Sequence, residues 1–101
     1  MRIQLLYFAG CPHYAPTLEL LRRTAAERGQ ELNVELIEVR NNEDARRLRF
    51  LGSPTLRVNG VDIEPTAVTR NDFALACRVY GASGTPSREL IEAALTRGNG
   101  S

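Results

Sequence analysis

The chain has no lysine, a single histidine, only two cysteines and no apolar run approaching the length of a membrane helix. Runs such as Leu5-Leu6-Tyr7-Phe8-Ala9 fall far short of the ~20 residues that cross a bilayer, so no transmembrane helix is expected. A signal peptide is not expected either. The stretch ending Phe8-Ala9-Gly10-Cys11 has a faint lipoprotein-like end, but its apolar part is shorter than a signal h-region and Gln4 interrupts it. The N-terminus therefore reads as mature and the chain as cytoplasmic. An excess of charge of one sign is also missing. The 13 basic residues, all Arg, face 12 acidic ones for a net charge of +1, which gives neither the footprint of a nucleic-acid binder nor a polybasic membrane anchor. A GC-rich genome accounts for the all-Arg usage, and no function is read from it. No internal repeat is visible.

What is present is an ordinary globular composition, 43% apolar and 25% charged over 101 residues. That size predicts one core and one domain, residues 1–97, followed by a frayed tail at 98–101. In a reducing compartment Cys11 and Cys77 are expected to be thiols rather than a permanent staple.

Arg2 to Phe8 carries apolar groups on both faces, which predicts a strand in the middle of a sheet. From Tyr14 the apolar positions Tyr14, Leu18, Leu21 and Ala25 follow a helical stripe that ends at Gly29. A strand therefore delivers Cys11 to the start of a helix, unless Pro16 delays that start and leaves Cys11 in a loop. Val34 to Val39 predicts a second strand. Asn42-Glu43-Asp44 supplies a cap and acidic first turn for a short helix that Gly52 closes. Asn59-Gly60 signals a hairpin between Leu56-Arg57-Val58 and Val61 to Glu64. Phe73, Leu75, Cys77 and Val79 alternate with Ala74, Ala76, Arg78 and Tyr80. This predicts a further strand with the odd positions inward, although Phe73 to Cys77 is also compatible with a helix. After a Gly81 to Thr85 loop, Pro86 and the stripe Leu90, Ile91, Ala94, Leu95 predict a closing helix that ends at Gly98. The order βαβ then ββα implies an α/β fold, a mixed four- or five-stranded sheet with flanking helices.

Tyr7-Phe8-Ala9-Gly10-Cys11-Pro12 resembles the active-site approach of thioredoxins and glutaredoxins, and Gly52-Ser53-Pro54-Thr55-Leu56 resembles the segment that carries their cis proline. Cys11-Pro12-His13 with Ala76-Cys77-Arg78-Val79-Tyr80 is similar to small bacterial thioredoxin-like proteins labelled as related to alkylmercury lyase. The resemblance covers most of the chain. It implies a thioredoxin-like fold, Cys11 as the catalytic thiol, and Pro12, His13, Ser53, Pro54 and Thr55 as the residues against which a substrate lies. The position that holds a resolving cysteine in dithiol members is Tyr14 here, so a local disulfide cannot form.

The chemistry of these residues can be stated independently. A cysteine at a helix N-terminus meets unpaired N–H groups and the positive end of the dipole, which favour the reactive thiolate. His13 either stabilises that thiolate as imidazolium, ligates a soft metal, or is simply a solvated first-turn residue. Pro54 is either cis, presenting backbone to an extended substrate, or a trans proline that starts a strand. Cys77 is either a core residue or a possible second thiol beside Cys11. Two cysteines and one histidine do not fill a four-ligand structural zinc site, and their spacing is not a zinc-finger signature, so no closed zinc site is expected. No resident metal and no cofactor is assigned, although two thiolates could hold mercury, copper(I) or zinc.

Three functions follow as expectations. In the first, Cys11 performs thiol-disulfide exchange as a possible oxidoreductase, with a thiol or disulfide partner such as glutathione or a protein. In the second, Cys11 and Cys77 form a binding module for mercury or another soft metal, without lyase turnover. The third is a redox-inactive interaction domain. The resting sulfurs are expected to lie beyond disulfide range, with Cα atoms more than ~7 Å apart and Cys11 the more exposed thiol.

Overall fold

The structure, a computed structural model, describes residues 1–80 and 83–100. Ile3, Leu5 and Leu6 are fully buried in β1 (Arg2–Tyr7), and apolar groups on both faces suit a strand inside a sheet. On one side β1 pairs in parallel with β2 (Asn33–Glu38), and on the other it pairs antiparallel with β3 (Thr55–Val58). β4 (Val61–Asp62) returns beside β3, so the sheet order is β2-β1-β3-β4. Asn59 and Gly60 make that return with φ of 52° and 85°, the left-handed pair that a two-residue hairpin turn needs.

Two helices, α1 (Tyr14–Glu27) and α3 (Arg88–Gly100), cover one face of the sheet. Their residues Leu21, Ala25, Ile91 and Leu95 pack on Ile3, Leu5, Leu56 and Val58. Leu6 points the other way, as alternation along a strand requires, and clusters with Val39, Ala45 and Phe50. Ala45 belongs to α2 (Asn42–Leu48), so α2 covers the second face. The architecture is thus α/β, with a four-stranded mixed sheet and three helices among the described residues. None of these helices is long and apolar enough to cross a membrane.

Several boundaries differ from the sequence reading. Asn41, not Asn42, caps α2 by accepting from the Asp44 N–H at 2.8 Å. Arg49 closes that helix in the left-handed conformation, φ 55°, which leaves Gly52 for another role. Pro16 sits in the first turn of α1, where backbone N–H groups have no intrahelical partner to lose. Cys11 consequently lies in the turn before the helix. Ser87 accepts from the Leu90 N–H at the start of α3, and this helix continues past Gly98 to Gly100. Position 101 of the expected tail and Gly81 and Ala82 of the expected loop fall outside the described residues.

The expected strand at Phe73 to Val79 does not form. This segment has no regular structure beyond a parallel bridge between Cys77 and Ser53 and an antiparallel one between Tyr80 and Ser83. Only its end alternates in burial, and in the opposite phase: Cys77 and Val79 are exposed, Val79 by 64%, whereas Arg78 and Tyr80 are buried. Nearer its start Phe73 and Ala74 are both half-buried and Leu75 and Ala76 both exposed. The cause is electrostatic. Asp62 and Glu64 draw the Arg78 guanidinium inward, and Cys77 and Val79 on either side of it are turned out. Pro65–Thr69, before this segment, is a short 3-10 turn.

Candidate functional site

Cys11 follows β1 in a tight turn in which its N–H donates to the Phe8 carbonyl at 3.2 Å. The expected exposure is reversed here: Cys11 is buried, with 9% of its surface accessible, while Cys77 is exposed, so neither the exposed Cys11 nor the core Cys77 of the sequence reading holds. Cys11 is covered because its turn folds back on Phe8, and Cys77 is uncovered because its neighbour Arg78 takes the inward position. Both thiols are free.

The other residues singled out by the sequence fall into two groups. Pro12 is exposed, and His13, at the N-cap of α1, is half-buried with Nδ1 3.5 Å from the Thr85 hydroxyl. Ser53, Pro54 and Thr55 are buried, and the Ser53–Pro54 peptide is cis. Ser53 connects this loop to the Cys11 turn, since its Oγ accepts from the Phe8 N–H at 3.4 Å. Tyr14 stacks on Tyr7 with ring centroids 4.2 Å apart, filling the space after Cys11 with an aromatic pair.

The residues from Ala76 to Tyr80 bind along the whole of the Gly52–Thr55 loop. Ser53 N–H donates to the Ala76 carbonyl at 2.8 Å, and Arg78 N–H donates to the Ser53 carbonyl at 2.9 Å. Arg78 Nη1 donates to Thr55 Oγ1 at 3.1 Å, and the Tyr80 hydroxyl donates to the Pro54 carbonyl at 2.6 Å. The backbone groups of Ser53 that could receive an extended ligand are therefore occupied by the chain itself.

Arg78 anchors this arrangement. Its side chain is 0% exposed, bonds Asp62 through both terminal nitrogens at 2.6 and 2.8 Å, and reaches Glu64 at 2.7 Å. Burial pulls the guanidinium pKa down, but the hydrogen bonds it donates to Asp62 and Glu64 and the nearby charges more than offset this and hold it above its ordinary value. The guanidinium also lies 4.8 Å from the centre of the Tyr80 ring, within cation–π range. Burial pushes the Tyr80 hydroxyl above its usual value, with Arg78 opposing. Sequence reasoning missed Arg78, Tyr80, Asp62 and Glu64. The available signal was an arginine inside an alternating apolar segment, with two carboxylates spaced by two residues after a hairpin.

A separate cavity of about 340 Å³ lies between the α2–β3 connection, the hairpin and the Pro65–Thr69 turn, and neither cysteine lines it. Arg49, Arg57 and Phe73 are among its walls; burial draws the Arg57 guanidinium below its ordinary value, with Asp62 opposing. Among the described residues, no group of three or more His, Cys, Asp or Glu side chains is placed to hold a metal ion.

Compared with family models, with curated proteins and with solved structures, the chain matches none of them.

Proposed function

We propose that this is a thioredoxin-like thiol protein acting in thiol-disulfide exchange, with Cys11 as the reacting thiol and the Ser53–Pro54–Thr55 loop as the wall beside it. The observation that carries this reading is the hydrogen bond from the Phe8 N–H to Ser53 Oγ, which joins the Cys11 turn to that loop across a large sequence separation. The succession of a parallel βαβ unit and an antiparallel hairpin followed by a helix supports the same reading.

In the reaction, the Cys11 thiolate attacks one sulfur of a disulfide. A mixed disulfide forms, the original sulfur–sulfur bond breaks, and the departing thiolate takes a proton from water. Tyr14, packed on Tyr7, offers no thiol to reverse this locally. A second thiol must therefore resolve the intermediate.

The test is the rate of glutathione-dependent reduction of a small disulfide by the wild type and by Cys11→Ser, with circular dichroism to confirm folding. Loss of the catalysed rate in the folded variant is expected. A variant as fast as the wild type would overturn the reading.

A further inference from the structure

Two thiols far apart in sequence are tied to one residue. Cys11 is linked to Ser53 through Phe8, whose carbonyl accepts from the Cys11 N–H and whose N–H donates to Ser53 Oγ. Cys77 is the bridge partner of Ser53 itself, flanked by the bonds Ser53 makes to Ala76 and Arg78. Neighbouring strands lie about 4.8 Å apart, so Cys77 is carried next to Ser53, the residue whose side chain also holds the Cys11 turn. The seat is built for this segment. A Cβ on Gly52 would stand 2.9 Å from the Arg78 nitrogen and 3.1 Å from the Ala76 oxygen, while Arg78 and Tyr80 pin the segment from its buried side. Cys77 is left facing solvent.

We infer that Cys77 is the thiol that meets an external disulfide and that Cys11 is the buried thiol that resolves it. This rests on the thiol-disulfide exchange proposed above but reassigns its first attack: Cys77 rather than Cys11 opens the external disulfide, and Cys11 attacks second. The Cys77 thiolate attacks a sulfur of the external disulfide, a Cys77 mixed disulfide forms, and one external thiolate leaves to be protonated by water. The Cys11 thiolate then attacks Cys77 Sγ and breaks the mixed disulfide. A Cys11–Cys77 bond forms and the second external thiolate leaves. The external disulfide gains two electrons and the cysteine pair loses them. Closure requires the two Cα atoms to stand within about 7 Å of each other.

The experiment uses the full chain treated with oxidised glutathione, followed by alkylation of remaining thiols, intact-mass measurement and peptide mapping. The wild type is expected to lose the mass of two hydrogens and give a Cys11–Cys77 peptide, with two reduced glutathiones released per protein. Cys11→Ser is expected to stop as a glutathione adduct on Cys77, and Cys77→Ser to give no internal disulfide and to lose at least tenfold in exchange rate. Wild type that carries glutathione on both cysteines, or only disulfide-linked dimers through Cys77, would overturn the assignment. Full activity in Cys77→Ser with none in Cys11→Ser would also overturn it, yet leave Cys11 as the reacting thiol. Full activity in both variants would remove the parent reading as well.

Discussion

Gly52 and Arg78 meet backbone to backbone, with no room for a side chain between them: a Cβ on Gly52 would lie 2.9 Å from the Arg78 nitrogen and 3.1 Å from its Cα. Gly52 also has φ of 126°, a region that side-chain-bearing residues rarely adopt. Gly52→Ala should therefore be destabilising by about 2 kcal/mol, from strain and from displacement of the Ala76–Arg78 segment. Urea unfolding reads the cost, and amide exchange at Arg78 should accelerate. Unchanged protection of that amide would mean the segment is not seated on Gly52.

Arg78 is a buried charge held by two carboxylates that are themselves only 15% and 22% exposed. Removing it in Arg78→Met leaves Asp62 and Glu64 facing each other without a counter-charge, at a cost of about 3 kcal/mol. In the double variant Arg78→Met, Asp62→Asn, part of this loss should be recovered. A double-mutant cycle measured by chemical denaturation checks the coupling, and strict additivity of the two changes would contradict the pairing.

The Tyr80 hydroxyl is held above its ordinary value by burial, and its proton is committed to the Pro54 carbonyl. An acid with a raised folded-state pKa contributes stability that is complete below the unfolded value, ~10 for tyrosine, and is lost as pH rises through the folded value. The urea midpoint should fall on moving from neutral pH to above ~10, and Tyr80→Phe should show a shallower fall. Tyr80→Phe should also be about 1 kcal/mol less stable at neutral pH, having lost one buried hydrogen bond. Parallel pH profiles for the two proteins would count against this account.

Val79 separates the structure from the strand the pattern suggested, and Leu95 on α3 gives the buried comparison. Val79 is 64% exposed whereas Leu95 is fully buried against the sheet. Val79→Thr should change stability by less than about 0.5 kcal/mol. Leu95→Ala should cost about 3 kcal/mol through lost burial and the cavity left behind. Thermal or urea unfolding of the pair settles the orientation of the segment, and a large loss in Val79→Thr would reverse it.

The regular elements were legible because each obeys a local rule. β1 shows its burial on both faces, the stripes on α1 and α3 keep a helical spacing, and Asn59-Gly60 names its own turn. Errors arose where a local signal had two readings. Asn41 and Asn42 are equivalent caps by composition, and only backbone geometry chooses the first. The residues alternate from Phe73 to Tyr80, but burial alternates only from Cys77 onward and in the opposite phase, which periodicity alone does not give. The odd positions are the more apolar set, and Arg78 among the even ones favours burying the odd face until Asp62 and Glu64 enter.

The α/β succession, the aromatic residue in place of a nearby second thiol, and the hairpin can be read from local sequence, since all depend on residues close along the chain. Long-range contacts set which cysteine is covered, that Ser53 joins the two cysteine-bearing segments, and that Gly52 is reserved for Arg78. Those outcomes depend on the Arg78–Asp62–Glu64 ion pairs and on backbone contacts between residues more than twenty positions apart. Arg78 rather than Val79 takes the inward position because the mostly buried Asp62 and Glu64 would otherwise lack a counter-charge, which costs more than a valine left in water.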